Sequence, residues 1–158
     1  MTKTTFFAYD PNGVRHTRST ARVYTHTVFA RHSYDRELAQ AMDNKGWLRT
    51  DRSNFHYYTQ MASGTYTGTW ANGETYTRDV SPKDMTNAQS KIGTMTEDEY
   101  VAQCRAERIA VVENRKEDGY YNRYVNLGWC GRRQLADGVI SSHRQYGYVD
   151  FIVVEASK

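Results

Sequence analysis

The stretch Arg22-Val23-Tyr24-Thr25-His26-Thr27-Val28-Phe29-Ala30-Arg31 decides the fold. It is rich in β-branched and aromatic residues and reads as a strand. Its even positions carry Arg22, Tyr24, His26 and Val28, and its odd positions Val23, Thr25, Thr27 and Phe29. Neither row is purely apolar, so the alternation leaves open which face is buried.

Upstream, Lys3 to Tyr9 reads as another strand. Asp10-Pro11-Asn12-Gly13 is a tight turn, since Pro presets φ and Asn and Gly tolerate positive φ. Val14 to Thr17 returns as the second arm of a hairpin. Downstream, Ser33 resembles an N-cap for a short helix whose apolar stripe is Tyr34, Leu38 and Met42, with Gly46 as its stop. Residues 65–79 form a second hairpin around Asn72-Gly73. Residues 80–95, interrupted by Pro82 and Gly93, read as a loop. Thr96-Glu97-Asp98-Glu99 is a capping box that opens a helix to about Lys116, with Val101, Cys104, Arg108, Val111 and Val112 as its inward stripe. Strand, helix and strand then follow over Tyr121–Trp129, Arg132–Tyr146 and Tyr148–Glu155. The whole predicts an α+β fold: one domain over residues 1–158, an antiparallel sheet with two or three helices packed on one side.

Composition agrees with a small core. Leu, Ile, Val and Phe make up only 25 of the 158 residues, but the 13 Tyr and 3 Trp supply apolar area in their place. The net charge of +3 is too low for a disordered chain. Apolar runs reach only four residues, which predicts no membrane span, and the polar start predicts no signal peptide. A cytoplasmic protein is expected. Cys104 and Cys130 make neither a disulfide framework nor a metal quartet, and no cofactor is expected.

No catalytic motif stands out. The spacings for a His-x-Thr phosphoesterase, a Gly-x-Ser-x-Gly elbow, a Walker loop, a zincin and a Cys-x-x-Cys pair are all missing. Cys130 is the one candidate nucleophile, because it precedes Arg132 and Arg133 at a predicted helix start that would lower a thiol pKa. His26 or His143 could serve it as base. The plainer reading is a small apolar residue at a tight turn for Cys130 and a hydrogen-bonded sheet residue for His26.

Two stretches carry a resemblance. Arg18-Ser19-Thr20-Ala21-Arg22-Val23-Tyr24-Thr25-His26-Thr27-Val28 follows the Asp-Pro-Asn-Gly turn, and Gly128-Trp129-Cys130-Gly131-Arg132-Arg133-Gln134-Leu135-Ala136 precedes the last helix. Together they resemble small uncharacterised proteins of bacteriophages and prophages. The resemblance spans about 35 residues at the two ends and implies an origin, with no activity attached. It also implies that residues 47–95 between them carry the specific contact surface.

The leading expectation is therefore a non-enzymatic phage-type accessory protein that binds and modulates or inhibits a bacterial host factor, with a defence system as one target class. Residues Trp47 to Tyr76 hold two Trp, four Tyr and one Phe, the kinds of ring that dominate interface hot spots. A two-residue Asn72-Gly73 turn would pair Trp70 with Thr75 and put Trp70 and Tyr76 on opposite faces. Trp70 is then expected inward and Tyr76 outward, with Arg52, Tyr57 and Tyr58 extending the outer face into the contact patch. The alternative is nucleic-acid binding through Arg15, Arg18, Arg22 and Arg31 on phosphates, with Tyr24 or Tyr34 stacking on bases and His26 as a phosphate donor. A thiol-dependent enzyme ranks third.

Overall fold

The computed structural model describes residues 2–158. In chain order the elements are β1 (Thr4–Tyr9), β2 (Arg15–Thr20), β3 (His26–His32), α1 (Tyr34–Asp43), α2 (Lys45–Ala62), β4 (Thr65–Thr69), β5 (Thr75–Asp79), α3 (Pro82–Ile92), α4 (Glu97–Glu117), β6 (Val125–Cys130), α5 (Arg133–Arg144) and β7 (Tyr148–Glu155). The fold is α+β, and every strand pairing is antiparallel. The chain divides into two compact units: the described residues up to Leu38 with Val111–Lys158, and Ala39–Ala110.

The first unit is built on β3, which lies between β6 and β7. Thr27, Val28, Phe29 and Ala30 are all fully buried, so the mixed alternation along this strand has a simple cause: both faces are covered. On one face Val28 packs with Cys130 and Ala136, joined by Val139, Ile140 and Phe151. On the other, the Phe29 ring meets His16 of the β1–β2 hairpin at 4.7 Å. Fully burying Val28 and Phe29 contributes about 1.5–3 kcal/mol each. Thr27 is tolerated inside because its hydroxyl donates to the Gly128 carbonyl at 2.9 Å and accepts from the Asn126 amide at 2.7 Å.

The first hairpin forms where the sequence predicts it. Asp10 Oδ1 accepts from the amides of Asn12 and Val14, Gly13 takes φ +79°, and Asp10 Oδ2 meets His16 Nε2 at 3.0 Å. Some boundaries move. The central strand begins at His26 rather than Arg22, and the start of the expected 121–129 strand is a 3-10 turn at Tyr120–Asn122. In β7 the register against β3 slips between Phe29↔Ile152 and Arg31↔Val149. Asp150 is the extra residue of this bulge, with φ +53°.

The second unit corrects three expectations. Gly46 does not end a helix: α1 stops at Asp43, and Asn44 immediately caps α2 by accepting from the Trp47 amide at 3.0 Å. Residues 80–95 are not a loop. Ser81 accepts from the Asp84 amide, Pro82 occupies the first turn of α3, and Gly93 closes the helix. Proline there is a helix-start signal rather than a breaker, because its missing N–H is one that the first turn leaves unbonded anyway. The second hairpin turns through three residues, Ala71-Asn72-Gly73, because Thr69 pairs with Thr75 and the Trp70 amide donates to the Glu74 carbonyl at 2.7 Å. Gly73 at φ +88° supplies the left-handed residue that such a turn needs.

The capping box is present: the Thr96 amide donates to Glu99 Oε2 at 2.7 Å, and the Glu99 amide to Thr96 Oγ1 at 3.3 Å. Of the expected α4 stripe Val112 is buried, but Val111 is half exposed. Among the described residues no helix is long and apolar enough to cross a membrane.

Candidate interaction surface

One residue added to the Asn-Gly turn reverses the face assignment along the second hairpin. With Gly68 opposite Tyr76 and Trp70 opposite Glu74, Tyr66, Trp70, Tyr76 and Arg78 share one face, and the threonines share the other. Trp70 and Tyr76 are therefore not on opposite faces; their rings are 4.5 Å apart. Nor is Trp70 inward. It is 58% exposed, whereas Tyr76 is half-buried against it.

The rings continue beyond the hairpin. Tyr76 meets Tyr66 at 6.3 Å, Tyr66 meets Tyr57 of α2 at 5.6 Å, and Tyr57 meets Tyr58 at 5.3 Å. Tyr58 in turn meets Tyr100 of α4 at 6.4 Å. The edge-on geometries suit the positive ring edge against the negative ring face. Arg78 lies 5.4 Å from the Tyr66 centroid and adds a cation–π contact. The inner end of this run is buried: burial, with a bond to Cys104, pushes the Tyr100 phenol up to about 12. The outer end, Trp70, is exposed. Gln60 of α2 holds the hairpin to the helix by accepting from the Thr67 amide at 3.0 Å.

Tyr57, Tyr58 and Tyr76 thus come together as one aromatic run. Arg52 does not join it. Its guanidinium pairs with Glu97 at 3.4 Å and Asp98 at 3.9 Å, beside His56, which meets Glu97 at 3.2 Å. Arg52 and His56, one turn apart, fasten α2 to the acidic start of α4. Trp70, expected inward, and Tyr66, which the sequence did not single out, both belong to this run; the signal that would have found them is the tolerance of Ala-Asn-Gly for a three-residue turn.

The basic set of the first unit is dispersed. Arg15 lies on the same hairpin row as Phe7, whose centroid it approaches to 4.5 Å, and Arg18 lies on the opposite row, 5.2 Å from Tyr24. Arg22 is exposed in the bend after β2. Tyr24 is only 9% exposed, packed against Phe6 and Trp129, so its ring faces are not open to a base. His26 and Arg31 stand near opposite ends of β3, and Arg31 is paired with Asp150.

Cys130 sits directly across from His26 in the β3–β6 register, yet among the described residues no hydrogen bond joins them. His26 Nδ1 meets Thr25 Oγ1 at 2.8 Å, and His143 Nδ1 meets the Val139 carbonyl at 2.8 Å. Burial pushes the Cys130 thiol up, so the activation expected from Arg132, Arg133 and the start of α5 is not realised. Comparison of the chain with protein-family profiles, with curated proteins and with solved structures finds no match.

Proposed function

We propose that the chain is a non-enzymatic, phage-type accessory protein that binds a bacterial host protein and modulates or inhibits it, with a component of host defence as one target class. The observation that carries the reading is the aromatic run from Tyr58 to Trp70, anchored in the second unit and ending in an exposed tryptophan beside an exposed turn. Trp70 leaves a large apolar ring in water at the end of this run, and Trp and Tyr anchors beside an Arg match the composition of interface hot spots. The dispersal of Arg15, Arg18, Arg22 and Arg31 favours a protein partner over a phosphate backbone.

The test is capture of a host protein from bacterial lysate by the tagged chain, followed by a measured affinity for the purified partner. Trp70→Ala and Tyr76→Ala should abolish capture, while Arg18→Ala with Arg22→Ala should preserve it. The reverse ranking, or binding that collapses with salt, would assign the contact to nucleic acid and overturn the reading.

A further inference from the structure

A cleft of about 590 Å³ opens in the first unit beside the end of β3, within the size range of small-ligand sites. Arg31, Tyr34, Asp35, Lys116 and Asp150 are among its lining residues. Lys116 reaches in from the last turn of α4 and holds its ammonium 4.0 Å above the Tyr34 ring; among the described residues it forms no ion pair. The Tyr34 hydroxyl is already committed, donating to Glu113 Oε1 at 2.6 Å.

Arg31 is only partly satisfied. Nη2 pairs with Asp150, Nη1 makes a long 3.5 Å bond to the Tyr121 carbonyl, and Nε is buried with no acceptor. Its partner is unusual. Asp150 is the bulge residue of β7 and, among the described residues, the one non-glycine at positive φ, a conformation that Asp and Asn tolerate better than other side chains. Its carboxylate remains 47% exposed, so the bulge aims a solvent-accessible anion at a guanidinium that still has a donor to spare.

We propose that this cleft binds a small oxyanion, a carboxylate or phosphate group, between Lys116 and Arg31, and that Asp150 is the internal carboxylate which the ligand displaces from Arg31. The planar donor fork of Arg31 suits either oxyanion, and Lys116 supplies a second positive charge that forms no ion pair among the described residues. Displacing Asp150 exchanges one oxyanion–guanidinium contact for another and leaves Asp150 in water, where its exposure already places it. Asp35, the other lining carboxylate, opposes the ligand, so affinity is expected in roughly the millimolar range.

The experiment is an amide-shift titration of the full chain at low ionic strength with inorganic phosphate and, separately, with acetate, chloride serving as control. Shifts should saturate around Arg31, Tyr34 and Lys116. Lys116→Met should weaken binding at least about tenfold, the loss of one charge-assisted contact. Asp150→Asn keeps a side chain suited to positive φ but removes the competing charge, so it should tighten binding by about threefold or more. Response to phosphate alone assigns a phosphorylated ligand, to acetate alone a carboxylate, and to both the shared chemistry. Either of two results overturns the proposal: no saturation with either anion at about 50 mM, or a chloride response of equal size. So does a Lys116→Met chain that binds like the parent, and so does a folded Asp150→Asn chain that binds no tighter. If Asp150→Asn does not fold, the Lys116 variant alone decides.

Discussion

The Tyr76 ring lies across Gly68 so closely that a Cβ on Gly68 would stand 2.5 Å from the ring's Cζ and Oη atoms. The two residues face each other in the β4–β5 register, and Gly68 is buried although it lies on a two-stranded ribbon. Glycine is required here for its missing side chain: the aromatic ring covers backbone that a larger residue would push away. Trp70 on one side and Tyr66 on the other hold that ring in place.

Gly68→Ala should therefore destabilise the fold by about 1–3 kcal/mol, the usual range for overpacking, measured by chemical denaturation. The near-UV signal of Trp70 should change in the same variant. Adding Tyr76→Ala removes the clash, so the double variant should cost clearly less than the sum of the two single changes.

Binding of a protein partner should fall at least about tenfold on Tyr76→Ala, in line with the loss of an interface Tyr worth about 2 kcal/mol. Arg18→Ala and Arg22→Ala should change it much less. Raising salt from about 50 to about 200 mM should likewise leave it nearly constant, as counter-ion release is not its driving force.

Thr96→Ala removes one half of the capping box and should lower stability by about 0.5–2 kcal/mol in thermal or denaturant unfolding. Unfolding identical to the parent would mean that α4 does not depend on this cap.

Asp10 links the first hairpin to acid stability. Burial works to raise its carboxyl, but the His16 bond and the amides of Val14 and Asn12 outweigh it and hold the group below its ordinary value. A depressed carboxylate stabilises the fold fully above the unfolded pKa of about 4 and loses that contribution as pH falls through the folded pKa. Asp10→Asn should thus be less stable than the parent at neutral pH, with the gap closing as pH drops below about 4.

The thiols should be slow. Burial pushes both Cys104 and Cys130 up, so neither should react rapidly with a disulfide reagent at neutral pH until the chain unfolds. Cys130→Ser should keep partner binding but lose about 1–3 kcal/mol of stability, because it places a hydroxyl among Val28, Ala136 and their neighbours.

What was legible in the sequence tracks how local the cause is. The Asp10 turn, the Thr96 cap and the final strand Tyr148–Glu155 are written within a few residues, and all three form as read. The start of α3 was local too, but Pro82 carries opposite meanings at a first turn and inside a helix, and only Ser81 and Asp84 beside it distinguish them. The hairpin face depended on a single residue of turn length, and that parity decided where Trp70 points. The site residues divided by reach. Tyr57, Tyr58 and Tyr76 meet through neighbouring elements of one continuous segment, while the pairing of Arg52 with Glu97 spans 45 positions that carry no pattern. The Arg31–Asp150 pair hangs on a bulge that no alternation announces.

The central position of β3 also sets an order of events as the chain folds. Its two neighbours, β6 and β7, arrive about a hundred residues later, as the contact between Thr27 and Gly128 shows. Residues 39–110 make a compact unit from one uninterrupted segment, whereas the first unit must wait for its second half. The β4–β5 hairpin therefore belongs to the low-contact-order part of the chain, which closes quickly. The β1–β3 segment meanwhile spends the early stages of synthesis with its apolar strand unpaired on both edges, the interval in which aggregation competes most strongly with folding.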